Sequence, residues 1–88
     1  SPNYTAKLVM ANVTNQLASS VRSAIKAYFA TLDGTNAHNI YQLVLSEIER
    51  PLLEIVMEHA DNNQSKAAQW LGISRNTLRK LLSKYELS

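Results

Sequence analysis

Apolar residues recur at helical intervals from Leu17 onward, whereas the stretch before it has no such rhythm. Residues 1–16, SPNYTAKLVMANVTNQ, are polar and alternate only around Thr5 to Val9. They read as a flexible or hairpin N-terminal arm, with Leu8, Val9 and Met10 as a loose apolar patch. Leu17, Val21, Ile25, Tyr28 or Phe29, and Leu32 then follow at steps of three or four residues, the spacing of one helix face. The run Asp33-Gly34-Thr35-Asn36 ends that helix, because Gly34 suits the left-handed conformation that closes helices. Asn36 or Asn39 is placed to cap the next one.

The second helix is apolar over more than half of its circumference. Ile40, Leu43, Val44, Leu45, Ile48, Leu52, Leu53, Ile55, Val56 and Met57 leave only a narrow polar face of Gln42, Glu47, Glu49, Arg50, Glu54 and Glu58. Pro51 lies within the pattern, where it removes one backbone hydrogen bond and is expected to bend the helix rather than end it. A helix this broadly apolar needs cover on several sides. Full burial of a Leu or Ile stabilises by about 1.5–3 kcal/mol. Several such residues left in water would threaten a domain with a net stability of about 5–15 kcal/mol. A second copy of the chain is the expected cover, with a dimer core of Leu17, Val21, Ile25, Phe29, Ile40, Val44, Ile48, Leu52, Ile55 and Val56. The alternative is a monomer whose later helices fold back over this one.

Two short helices follow, the third from Gln64 to Leu71 and the fourth from Arg75 to Tyr85. Asn62 or Asn63 can cap the former, and Ser74 the latter by accepting from the amide of Asn76 or Thr77. Ala67 and Ala68 permit close approach, Gly72 permits a tight turn, and Ile73 enters the seam beside Leu78, Leu81, Leu82 and Tyr85. This is the pattern of a helix-turn-helix. Trp70, beside Leu71, reads as a packing residue rather than a stacking platform.

Charge strengthens that reading. The net charge of the 88 residues is only +2, but its distribution is uneven. Asp33, Glu47, Glu49, Glu54, Glu58 and Asp61 face Arg50 alone in the middle, whereas Lys66, Arg75, Arg79, Lys80 and Lys84 face only Glu86 at the end. A basic pole of this kind suits a polyanion. On the fourth helix Asn76, Arg79, Lys80 and Ser83 fall opposite the apolar side, and an α-helix fits the DNA major groove with its first turn nearest the bases. Arg75 is the leading base reader, since a guanidinium donates two hydrogen bonds to guanine, and Ser74 and Asn76 are the secondary ones. Thr77, Arg79, Lys80 and Lys84 are assigned to phosphates, as are Asn63, Gln64, Ser65 and Lys66 around the start of the third helix. Arg79 and Lys80 would also suit an ordinary solvated helix face, and Ser74 a cap alone.

Composition narrows the rest. An apolar fraction of 45% is ordinary for a globular chain, and no cysteine is present for a disulfide or thiolate site. No segment approaches the ~20 apolar residues of a membrane span, and no signal peptide is evident. His38 and His59 lie far apart and have no third partner at ligand or triad spacing, and Glu47, Glu54 and Glu58 sit on an expected solvated face. No Gly-rich phosphate loop occurs. The expectation is a non-enzyme without metal or cofactor. A helical protein-interaction module with a basic end is the remaining competitor.

The stretches AYFATLDG, IYQLVLSEIERPLLEIVMEHADNNQSKAA and LGISRNTLRKLLSKY resemble the Fis family of bacterial nucleoid proteins, over most of the chain from Leu17 onward. The same C-terminal motif ends NtrC-type enhancer-binding activators, and a terminal domain of that kind is the alternative assignment. The resemblance implies an all-α homodimer of four helices per subunit, intertwined through a four-helix core and carrying two helix-turn-helix motifs. Residues 1–16 would be the arm, 17–61 the dimerisation helices and 62–88 the DNA-binding region. It further implies double-stranded DNA as ligand, bending of degenerate A/T-centred sites read through DNA shape, and regulation of transcription, including activation, in the cytoplasmic nucleoid. RNA polymerase is a candidate partner, and recombinase contact through the arm is left open. The DNA-contacting positions of the family fall on Asn63, Gln64, Ser65, Lys66, Ser74, Arg75, Thr77, Arg79, Lys80 and Lys84. Well-known members have Asn at position 74, Gly at 76 and Lys at 81 and 83, where this chain has Ser74, Asn76, Leu81 and Ser83.

Overall fold

The computed structural model describes residues 2–88, with side chains from Asn3 onward. Four helices follow in order: α1 (Pro2–Leu32), α2 (Ile40–His59), α3 (Gln64–Leu71) and α4 (Arg75–Lys84). The described residues contain no strand. They form two compact units, one ending at Ile40 and the other spanning Tyr41–Ser88.

The first unit corrects the expected arm. Instead of a hairpin or coil up to Gln16, α1 runs unbroken from Pro2 through 31 residues. Ser1, the first residue of that arm, lies outside the described residues. The physical reason lies in the backbone. A proline in the first helical position lacks only an N–H that would have no partner there anyway. After it no Gly or Pro occurs before Gly34, so nothing forces the backbone out of the helix. The apolar residues of this stretch are too clustered to form a stripe, and Leu8, Val9 and Met10 are all exposed. At the other end Asp33 and Gly34 both take positive φ, 49° and 88°, and the Thr35 amide donates to the Leu32 carbonyl at 3.0 Å. Gly34 therefore has the left-handed conformation expected of it.

Asn39 departs from the capping expectation. Its φ is 61°, whereas a helix N-cap has extended backbone.

The second unit is built round a stripe of α2. Leu53, Met57 and Ala60 are buried at the spacing of one helix face, and they meet Ala67 and Ala68 of α3, Leu78 and Leu82 of α4, and Tyr85. Val56, Leu71, Ile73, Leu81 and Leu87 pack around this core. Leu53, Leu78 and Leu82 are each at most 2% exposed, so each contributes close to the full ~1.5–3 kcal/mol of leucine burial. Pro51 lies inside α2, which continues through it to His59.

Three chain reversals in this unit share one device. At the end of α2 the Asn62 amide donates to the Met57 carbonyl and the Asp61 amide to that of Glu58. Ile73 and Gly72 do the same to Ala68 and Gln69 after α3, and Leu87 and Glu86 to Leu82 and Ser83 after α4. This pairing closes a helix through one left-handed residue, which is normally glycine. Gly72 fills that role at φ 75°, but Asp61 and Glu86 adopt it at 53° and 57° with a Cβ in place, and after α2 the next residue, Asn62, is left-handed too at 62°.

Trp70 also differs from its expected role, being 55% exposed with the Lys66 ammonium 5.7 Å from its ring. Its position on α3 is away from the Ala67 and Ala68 side that enters the core. Among the expected dimer-core residues, Leu17, Phe29, Ile48, Leu52 and Ile55 are exposed in the single chain. Val21, Ile25, Ile40 and Val44 are half-buried, and Val56 packs on the chain's own core.

Candidate nucleic-acid interface

The outer face of the α3–α4 pair is assembled by two caps and one bridge. Asn63 has extended backbone, and its Oδ1 accepts from the Lys66 amide at 3.1 Å. Ser74 has the same role on α4: its Oγ accepts from the Thr77 amide at 3.1 Å while its hydroxyl donates to Thr77 Oγ1 at 2.9 Å. Each cap satisfies one of the amides a helix start leaves without an internal partner. The remaining amides and the helix dipole give both N-termini partial positive charge, and neither first turn contains an acidic residue.

The bridge joins the two helices. Arg79 Nε donates to Gln64 Oε1 at 3.4 Å, fifteen positions apart in the chain. It brings the start of α3 next to the outward side of α4, two segments assigned separately to phosphate from the sequence. Gln64 is half-buried, while Asn63, Ser65, Lys66, Ser74, Arg75, Asn76, Thr77, Arg79 and Lys80 are all exposed. The inward residues, Leu78 and Leu82, hold this face outward. The ten residues of α4 make a rod of about 15 Å, short enough to lie within one major groove.

Lys84 stands apart from this set. Its ammonium is 3.6 Å from Glu49 and 3.4 Å from Gln42 Oε1, both on α2, and 5.1 Å from the Tyr85 ring. A phosphate contact by Lys84 would therefore compete with a pair inside the fold. Sequence reasoning missed the two residues that hold it, Glu49 and Gln42, because they lie 35 and 42 positions before it and no local spacing links them. The described residues contain no His, Cys, Asp and Glu group able to hold a metal.

Comparison with known proteins matches this architecture. Residues 44–85 fit the model of the bacterial regulatory protein Fis family. The DNA-binding protein Fis of Actinobacillus succinogenes is 53% identical over 77 residues, covering 86% of this chain and 78% of that protein. The chain belongs to the Fis family. A Fis-like DNA-binding protein of Ralstonia nicotianae is also 53% identical, over 73 residues that cover 83% of this chain and 95% of the relative. The DNA-binding protein Fis of Proteus mirabilis is 50% identical over 72 residues, with coverage of 82% and 74%. Alignments of this length extend past the helix-turn-helix into the helices that precede it. No helix among the described residues is long and apolar enough to cross a membrane.

Proposed function

We propose that the chain is a nucleoid-associated, homodimeric DNA-binding and DNA-bending regulator of transcription, acting in the bacterial cytoplasm where the chromosome lies. The observation that carries this reading is the single basic surface formed where Arg79 meets Gln64, in a family whose members are named for binding DNA. Arg75, Ser74 and Asn76 at the first turn of α4 read base edges. Asn63, Gln64, Ser65, Lys66, Thr77, Arg79 and Lys80 position the phosphates, and Lys84 reaches a flanking one when it leaves Glu49. The role is regulatory and not enzymatic.

Dimerisation is supported by the uncovered apolar residues Leu17, Phe29, Ile48, Leu52 and Ile55. Two copies sharing these faces would hold two α4 rods at a set separation, and a duplex that must meet both bends to do so. The deformation energy then depends on sequence at positions the protein does not touch, which is how degenerate A/T-centred sites are discriminated. The long alignments favour this reading over the terminal module of an enhancer-binding activator, which shares only the last motif. RNA polymerase is assigned as second partner because a regulator of transcription acts on it. Recombinase contact of the hairpin kind is not assigned, since residues 3–16 are helical.

The test is binding to duplex DNA across a range of salt. Wild type should bind with a log–log slope of several, at roughly 0.9 per neutralised phosphate. The R75A/R79A double variant, whose two changes are on the exposed face, should lose at least ~10-fold in affinity at unchanged helicity. Intact affinity in that variant would overturn the assignment.

A further inference from the structure

The C-terminal end of α4 is held to α2 by a set of directed polar contacts. Tyr85 is 5% exposed. Its hydroxyl donates to Glu49 Oε1, and its backbone carbonyl accepts from the Arg50 guanidinium at 3.2 Å. That guanidinium also lies 5.3 Å from the centre of the Tyr85 ring, and Lys84 pairs with Glu49 at 3.6 Å. The Arg50 cation sits where the carbonyls of α4 end, the favourable pole for positive charge. Hydrophobic burial of Leu78 and Leu82 draws α4 onto α2 but is non-directional. Hydrogen bonds, by contrast, fix an angle.

We propose that Glu49, Arg50 and Tyr85 form a latch that sets the direction of α4 on α2, and through it the spacing of the two α4 helices offered to one duplex. The inference rests on the homodimeric DNA-bending reading above. The three are positioning residues. They lie at the far end of α4 from Arg75 and act through its orientation. The lever is long: with a rod of about 15 Å, a turn of ~10° at the latch moves the first turn of α4 by about 2.6 Å. In a two-fold dimer both helices shift, so their separation changes by up to about 5 Å, against the ~34 Å between successive major grooves. The duplex absorbs such a change as a different bend, which alters the preferred half-site spacing.

Y85F keeps the ring and loses only the hydroxyl bond, E49A removes its acceptor, and E49Q keeps an acceptor without the charge. Each is compared with wild type on a set of duplexes whose half-site spacing varies by one base pair. Bend is read by energy transfer between dye-labelled DNA ends, and thermal stability is measured in parallel. Wild type should prefer one spacing by at least tenfold. Y85F and E49A should flatten that preference to threefold or less and change the bend, with affinity at the best site within about threefold, while E49Q should resemble wild type. An unchanged spacing preference and bend in Y85F and E49A, with wild type binding normally, would overturn the latch alone. Equal loss at every spacing in step with lost stability would also overturn it, by making the contacts merely structural. Failure of wild type to bind or bend the duplexes would overturn both the latch and the reading beneath it.

Discussion

Ser74 is the residue where folding and recognition can be separated by one pair of substitutions. S74A removes the Oγ that accepts from the Thr77 amide at 3.1 Å. Loss of such a cap costs about 1 kcal/mol, which lowers the melting temperature of a domain this size by about 4–8 °C. S74D behaves oppositely in the free protein. Aspartate caps as well as serine, and a carboxylate at a helix start adds about 0.3–1 kcal/mol through the dipole. On DNA the sign reverses. With the start of α4 in the major groove, the new charge would lie about 5 Å from phosphate, a repulsion of about 1–3 kcal/mol per subunit for effective dielectric constants between 80 and 20. Two subunits then weaken binding by at least ~15-fold. Calorimetry and a fluorescence-anisotropy titration on the same samples make the comparison. S74A should be less stable and S74D at least as stable as wild type, with S74D much the poorer binder. A stable S74D that binds duplex within twofold of wild type would refute the placement of the first turn of α4 against DNA, leaving Ser74 as a cap alone.

Three further outcomes are expected. I55E places a carboxylate on a residue that is 53% exposed in the single chain. Covering the other half of this side chain is worth about 1 kcal/mol per subunit before the charge is counted, so the dimer dissociation constant measured by sedimentation should rise at least ~100-fold. E86G replaces a non-glycine residue at φ 57°. Relief of the left-handed penalty, about 1–2 kcal/mol, outweighs the extra freedom of glycine in the unfolded chain, so melting should rise by a few degrees. S83K adds an exposed cation to the outer face of α4 and should steepen the salt slope of DNA binding by up to about 2 per dimer.

Much of the α2–α4 region was legible because its devices are local. Ser74 and Asn63 cap amides three residues ahead, Gly72 closes the turn after it, and Ala67, Ala68, Leu78 and Leu82 reach the core by helical spacing alone. The N-terminal stretch was misjudged because its apolar residues form no stripe, so amphipathic periodicity was silent there. Continuity of backbone propensity carried the helix back to Pro2 instead. The environment of Trp70 was misjudged for a related reason: a large aromatic on a short helix shows no preference in sequence between core and surface.

By itself, the order of residues determined the helix boundaries of the C-terminal half, the turn at Gly72, the basic pole and the excess of apolar surface on α2. These depend on neighbours within one or two helical turns, whose geometry the backbone sets in advance. Only the tertiary structure decided that Gln64 holds Arg79, that Lys84 turns to Glu49, and that Arg50 and Glu49 grip Tyr85. Each of those pairings joins separate elements, and a hydrogen bond or ion pair forms only once packing has brought its two partners close together in the right direction.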